Sequence, residues 1–185
     1  MSTFLHGPTL WYATRATGLV TMLLLTASVL LGILTTGRFA DTGGSWPRFL
    51  TGGLHRNLAL LTVTFLALHV GTTVVDRFVS IPLAAAFIPF ASSYKAVWLS
   101  LGAVALDLLV ALVVTSLIRN RLGLRAWRWV HWAAYVCWPV ALAHGLGAGT
   151  DRGTLWVFLL TIACAAAVAG VATWRFVGAA RAGAR

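Results

Sequence analysis

Five long stretches of the chain are built almost wholly from apolar side chains: about residues 10–36, 54–75, 96–118, 127–148 and 154–174. Each meets the length of roughly 20 residues that a helix needs to cross a hydrocarbon core about 30 Å thick. The first carries no charge after Arg15, and the third is interrupted only by Asp107. The pattern predicts an all-α integral membrane bundle of five transmembrane helices, a single domain over residues 1–185. Between the second and third spans lie eighteen residues, Arg77 to Tyr94, that include Pro82, Phe87, Pro89 and Phe90. So apolar a loop is expected to lie along the membrane surface. No soluble domain, low-complexity linker or short-period repeat is evident.

Composition excludes a soluble alternative. Of 185 residues, 59% are hydrophobic and 10% charged, with a mean hydropathy of +0.87; soluble domains carry about a quarter charged residues. The formal charge of +10 would suggest nucleic acid in a soluble protein. Here no basic face with interleaved aromatics lies outside the apolar spans, so no nucleic-acid partner is expected. Cys137 and Cys164 fall inside apolar segments and outside any CxxC or CxxCH motif, which leaves a disulfide framework and covalent haem attachment unsupported. The first apolar stretch is too long for a signal peptide, and no basic residue precedes Arg15.

The basic residues instead report orientation. Arg38, Arg48, Arg56, Arg119, Arg121, Arg125, Arg128, Arg175, Arg181 and Arg185 lie on one side of the five spans, and Arg15, Arg77, Lys95 and Arg152 on the other. The ten-to-four split marks the first side as cytoplasmic, with the N-terminus outside and the C-terminus inside. Trp11, Trp46, Trp98, Trp127, Trp156 and Trp174 fall near span ends, as an interfacial belt requires.

The chemistry centres on histidine. His6 lies outside the spans, whereas His55 and His69 share the second helix and His131 and His144 the fourth. An ionisable side chain within a membrane is costly, and so is a functional candidate by default. Fourteen residues separate two side chains by ~21 Å along a helix and return them to within ~40° of one face. A separation of thirteen misses by ~140°, so the fourth helix must be distorted to present both rings inward; Pro139 is the expected cause. The two helices run in the same direction, which sets His55 level with His131 and His69 level with His144. Each level suits one planar metal macrocycle clamped from both sides, and bis-imidazole haem is such a group. Zinc would need about four ligands within ~2.1 Å of one ion, which histidines ~20 Å apart along a helix do not supply.

At these residues a family resemblance emerges. Thr115, Ser116, Arg119, Arg121, Leu122, Gly123, Trp127, His131, Tyr135 and His144, with His55-Arg56 and His69 on the second helix, resemble the ferric reductase-like transmembrane family. That family includes the membrane parts of ferric-chelate reductases and NADPH oxidases and the haem subunit of a bacterial methionine sulfoxide reductase system. The resemblance covers roughly residues 10 to 148. It implies two haem b groups, the inner on His55 and His131 and the outer on His69 and His144. It also implies a diheme b-type electron-transfer subunit, in a bacterial plasma membrane, that passes electrons from a cytoplasmic donor to an external acceptor. The oxidase and ferric-reductase members continue into a flavin and nicotinamide domain. Here no GxGxxG-type loop is present and about ten residues follow the fifth span. A separate cytoplasmic flavin or NAD(P)H reductase is therefore the expected donor, with flavin carried by that partner; ferric iron, oxygen or an external flavin or reductase protein is the expected acceptor.

Two other readings stay open on the residues. A quinol-linked cytochrome of the b or b561 type would use similar histidine spacing and need no dehydrogenase. A non-redox transporter or assembly subunit would use Asp107, Arg15 and the histidines as a proton or ion path. Arg15, near the outer end of helix one, either binds propionates of the outer haem, as the resemblance implies, or snorkels to the interface. Asp107 is expected to carry a proton, to pair with Arg15 or to hydrogen-bond a histidine. Arg119, Arg121, Arg125 and Arg128 serve topology, hold inner propionates or dock an acidic partner. Tyr135, one turn past His131, either lines the site or packs.

Overall fold

The structure, a computed structural model, describes residues 8–35, 48–76, 79, 81–149 and 153–183, and the secondary structure among them is helical. Helix α1 spans Pro8–Thr35, α2 Arg48–Val75, α3 Ala96–Leu117, α4 Arg119–Leu122, α5 Leu124–His131, α6 Ala134–Ala148 and α7 Leu155–Gly183. Four of them, α1, α2, α3 and α7, are long and apolar enough to cross a membrane. The fourth predicted span, 127–148, departs from expectation: it is divided between α5 and α6. The join is a tightened turn, in which the amides of Ala133, Tyr135 and Val136 donate to the carbonyls of Val130, Trp132 and Ala133 at 2.9–3.1 Å. These are three-residue steps, the mark of a 3₁₀ segment. Pro139 sits inside α6, and the tightened turn lies in the residues N-terminal to it.

Two antiparallel pairs organise the bundle, α1 with α2 and α3 with α6, and α1 also touches α6 and α7. Small residues predominate in the interior: Thr21, Thr26, Ser28, Thr62, Ser100, Ala103, Ala105, Cys137, Thr161 and Cys164 are buried, with Val29, Ile33 and Leu112 among them. Small residues let membrane helices approach closely. Their hydroxyls would be costly in lipid, and most turn back on their own helix. Thr21, Thr26, Thr62, Ser100 and Thr161 donate to the carbonyls of Thr17, Met22, Leu58, Ala96 and Val157 at 2.7–2.9 Å. Two polar contacts cross between helices at mid-depth: Trp138 Nε1 donates to Thr26 Oγ1 at 3.0 Å and the Cys137 thiol to the Ala105 carbonyl at 3.4 Å. Large apolar side chains point outward instead, Leu60 and Leu117 among them, as a lipid-facing surface requires.

The α2–α3 connection is only partly described; Arg77, Phe78 and Ser80 lie outside the described residues, as do Arg38 and Trp46 of the first loop and Arg152 of the last. Leu83–Ala86 forms a 3₁₀ turn, and Phe87, Ile88 and Phe90 beside it are exposed. Phe90 and Lys95 have φ of 64° and 41°, left-handed values that non-glycine residues rarely take. Both are fixed by polar contacts. The Phe90 amide donates to Ser100 Oγ at 2.8 Å, and Lys95 Nζ to the Ala148 carbonyl at 3.0 Å. Lys95 thereby neutralises carbonyls left open at the end of α6, and ties this loop to the helix that carries His144.

Candidate functional site

The helices bring the four spanning histidines together as two facing pairs. The ring centroids of His55 and His131 stand 6.3 Å apart with planes inclined at 73°. Those of His69 and His144 stand 6.4 Å apart at 76°. Among the described residues no three His, Cys, Asp or Glu side chains converge on one point; each level holds two histidines.

Three of the rings are oriented by a main-chain carbonyl on the neighbouring helix. His55 Nδ1 lies 3.1 Å from the Ser28 carbonyl, His69 Nδ1 2.9 Å from Thr14 and His144 Nδ1 2.8 Å from Trp98. A carbonyl only accepts, so Nδ1 carries the proton in each and Nε2 is left as the lone-pair nitrogen of the neutral ring. That is the state in which imidazole binds a metal, and a carbonyl behind Nδ1 is the usual outer support of a ligating histidine.

Glycine makes room for the same three rings. A Cβ on Gly102 would lie 2.6 Å from His144 Cε1, one on Gly18 3.0 Å from His69 Cε1, and one on Gly32 3.6 Å from His55 Cε1. Gly18 and Gly32 are fourteen residues apart on α1, the interval that separates His55 and His69 on the antiparallel α2. A methyl on Gly147 would fall within the Trp98 indole, which packs Trp98, the carbonyl partner of His144, onto α6.

His131 is held differently. Its ring stacks on Trp127, centroids 4.8 Å apart and planes 26° apart, and Trp127 Nε1 donates to Ser116 Oγ at 3.2 Å. Trp98 and Trp127, expected as interfacial residues, are thus also supports of the site. Gly18, Gly32 and Gly102 carried no sequence expectation; the shared interval of fourteen on α1 and α2 is the signal that marks the first two.

Residues 17–142 match the family described as ferric reductase like transmembrane component. The chain belongs to this family. No curated protein and no solved structure matches it. The matched region of the ferric reductase-like domain contains His55, His69 and His131, and His144 follows two residues beyond its end.

The other expected residues separate around these pairs. Arg15 is adjacent to Thr14, whose carbonyl supports His69, and its guanidinium carbon lies 4.0 Å from the Trp11 ring centroid. Asp107 is exposed on α3; among the described residues no hydrogen bond or ion pair joins it to Arg15 or to a histidine, contrary to the pairings expected from sequence. Tyr135 is 47% exposed and meets Trp132 edge-on, which is packing rather than lining. Arg119, Arg121, Arg125 and Arg128 are all exposed around α4 and α5, a basic rim beside Trp127 and His131.

Proposed function

We propose that this ferric reductase-like chain is a diheme b-type transmembrane electron-transfer subunit. The observation that carries the reading is the pair of matched centroid separations, 6.3 and 6.4 Å. A metal–imidazole bond is ~2.0 Å and a ring nitrogen lies ~1.1 Å from its ring centre, so two imidazoles that would share one metal ion have centroids at most ~6.2 Å apart. Both pairs stand within ~0.2 Å of that limit. The glycine clearances and the Nδ1 carbonyl contacts support the same group, because they orient the rings of His55, His69 and His144 and aim each Nε2 away from its own support. His55 and His131 are the ligands assigned to the inner haem, His69 and His144 to the outer, with Arg15 beside the outer propionates.

Bound haem supplies a one-electron carrier whose iron cycles between ferric and ferrous. The protein's part is to set the two histidine pairs ~21 Å apart along the bundle axis, in an apolar surround that would shield bound haem from water. The arginine distribution supports a cytoplasmic level for His55 and His131. With α5 and α6 counted as one bent crossing, the chain makes five spans, N-terminus outside and C-terminus inside. Electrons then pass from a cytoplasmic flavin or NAD(P)H reductase, docked on the basic rim of Arg119 to Arg128, to an external acceptor such as ferric iron, oxygen or a flavoprotein.

The test is a reduced-minus-oxidised visible spectrum of the purified protein with haem counted per chain. About two haems with a b-type spectrum are expected, and His69→Ala should remove about one while sparing the other. A colourless protein after expression with ample haem, or two haems retained in His69→Ala, refutes the assignment. A C-terminal reporter that registers outside the cytoplasm refutes the orientation.

A further inference from the structure

The four histidines are not secured alike. His55, His69 and His144 each have a carbonyl behind Nδ1; the Nδ1 of His131 is buried and has no hydrogen-bond partner among the described residues. Two side-chain contacts to α3 carbonyls run along the α3–α6 pair. The Trp98 carbonyl faces His144, and seven residues on, the Ala105 carbonyl faces Cys137, seven residues back. Among the described residues no such carbonyl contact continues to His131. His131 rests on the Trp127 face instead. Stacking fixes the plane of a ring but gives Nδ1–H no acceptor, so it neither sets the direction of Nε2 nor raises its basicity. His131 is also the last residue of α5, next to the tightened turn, whereas His55, His69 and His144 lie within continuous helix.

Loss of such an outer partner typically weakens a metal–histidine bond 10- to 100-fold. From this asymmetry we infer that His131 is the exchangeable ligand of the four, so that the His55/His131 level admits a small neutral ligand such as carbon monoxide or free imidazole while the His69/His144 level stays closed. The inference rests on the reading that each pair holds a haem. The exchange balances simply: the bond from His131 Nε2 to iron breaks and its electron pair stays on the ring. A bond from the incoming carbon or nitrogen forms with that ligand's own pair, and no electron or proton is transferred.

Carbon monoxide titration of the dithionite-reduced holoprotein, with haem counted per chain, tests it. In the wild type half of the haem should shift its spectrum, at a ligand concentration at least ~10-fold below any response of the other half. In His144→Ala the outer pair is broken, so all the haem that remains should react; His69→Ala opens the same pair from α2 and serves if the first variant does not accumulate. A wild type in which none or all of the haem responds together overturns the inference, as does an unreactive fraction in either variant. A wild type with fewer than about two haems per chain overturns the underlying diheme reading instead.

Discussion

The glycines against the histidine rings give a graded prediction with its scale set by geometry. Ordinary contact begins at about 3.4 Å, and an alanine methyl at Gly102 would sit 2.6 Å from His144 Cε1 and 2.7 Å from Nδ1. The ring must retreat by the difference of 3.4 and 2.6, or 0.8 Å, while Nδ1 is tied to the Trp98 carbonyl at 2.8 Å. Metal–ligand distances hold to about ±0.2 Å, so the retreat cannot be absorbed with the bond intact. Overpacking of this kind costs ~1–3 kcal/mol, which lowers outer-haem affinity by ~5- to ~150-fold. At Gly18 the shortfall is the difference of 3.4 and 3.0, or 0.4 Å, and a smaller loss at the same haem is expected. At Gly32 the methyl would lie at 3.6 Å, an ordinary contact, and the gain from alanine in a helix, ~0.5–1 kcal/mol, should dominate. Haem per chain and the thermal midpoint of Gly32→Ala, Gly18→Ala and Gly102→Ala read the series. Two full haems with an unchanged spectrum in Gly102→Ala would refute the reasoning, as would equal damage from Gly32→Ala.

Two further substitutions probe the frame around the site. Thr26→Val removes the acceptor of Trp138 Nε1; interhelical hydrogen bonds in membranes average ~0.6 kcal/mol, so a small drop in the thermal midpoint with unchanged haem content is expected, and loss of a haem would show that this contact sets histidine geometry. Asp107 is exposed on α3, where a carboxylate near mid-membrane costs ~2.5–3.5 kcal/mol; Asp107→Leu should raise thermal stability and leave both haems, and a fall in either would mean that the carboxylate serves a partner helix.

The apolar runs made the helices legible because a spanning segment announces itself by length alone. Their faces were not legible. A helix in lipid is apolar all round, so the sequence carries little sign of which side of α1 meets α2, and Gly18 and Gly32 stand out only once His55 and His69 are known to face them. The pairing of histidines across helices was legible because direction and spacing fix depth. The supports were not, since main-chain carbonyls of Thr14, Ser28 and Trp98 belong to any residue type and leave no trace in sequence. Helix α7 runs to Gly183 rather than ending near 174; Arg175 is no terminator because its guanidinium reaches the Ile33 carbonyl at 2.6 Å, satisfying the charge inside the bundle.

The unequal intervals of fourteen and thirteen are reconciled by the tightened turn before Pro139. A 3₁₀ residue advances 120° and ~2.0 Å, against 100° and 1.5 Å in an α-helix. Four or five such steps between His131 and His144 add ~80–100° of rotation and ~2 Å of rise. Thirteen residues then miss a common face by ~40–60° rather than ~140°, and span ~21–22 Å, the same as fourteen regular residues in α2. The two helices thereby present their rings at matched depth, and both pairs close to within 0.1 Å of one separation. Pro139 frees only the Tyr135 carbonyl, and the three tightened bonds accept at Val130, Trp132 and Ala133 instead, so Pro139→Ala should preserve both haems and their spectra. Were the proline the source, restoring a regular helix would swing His131 by ~80–100° about the axis and release the inner haem alone. A one-haem Pro139→Ala protein that keeps the spectrum of the outer pair would therefore return the bend to the proline.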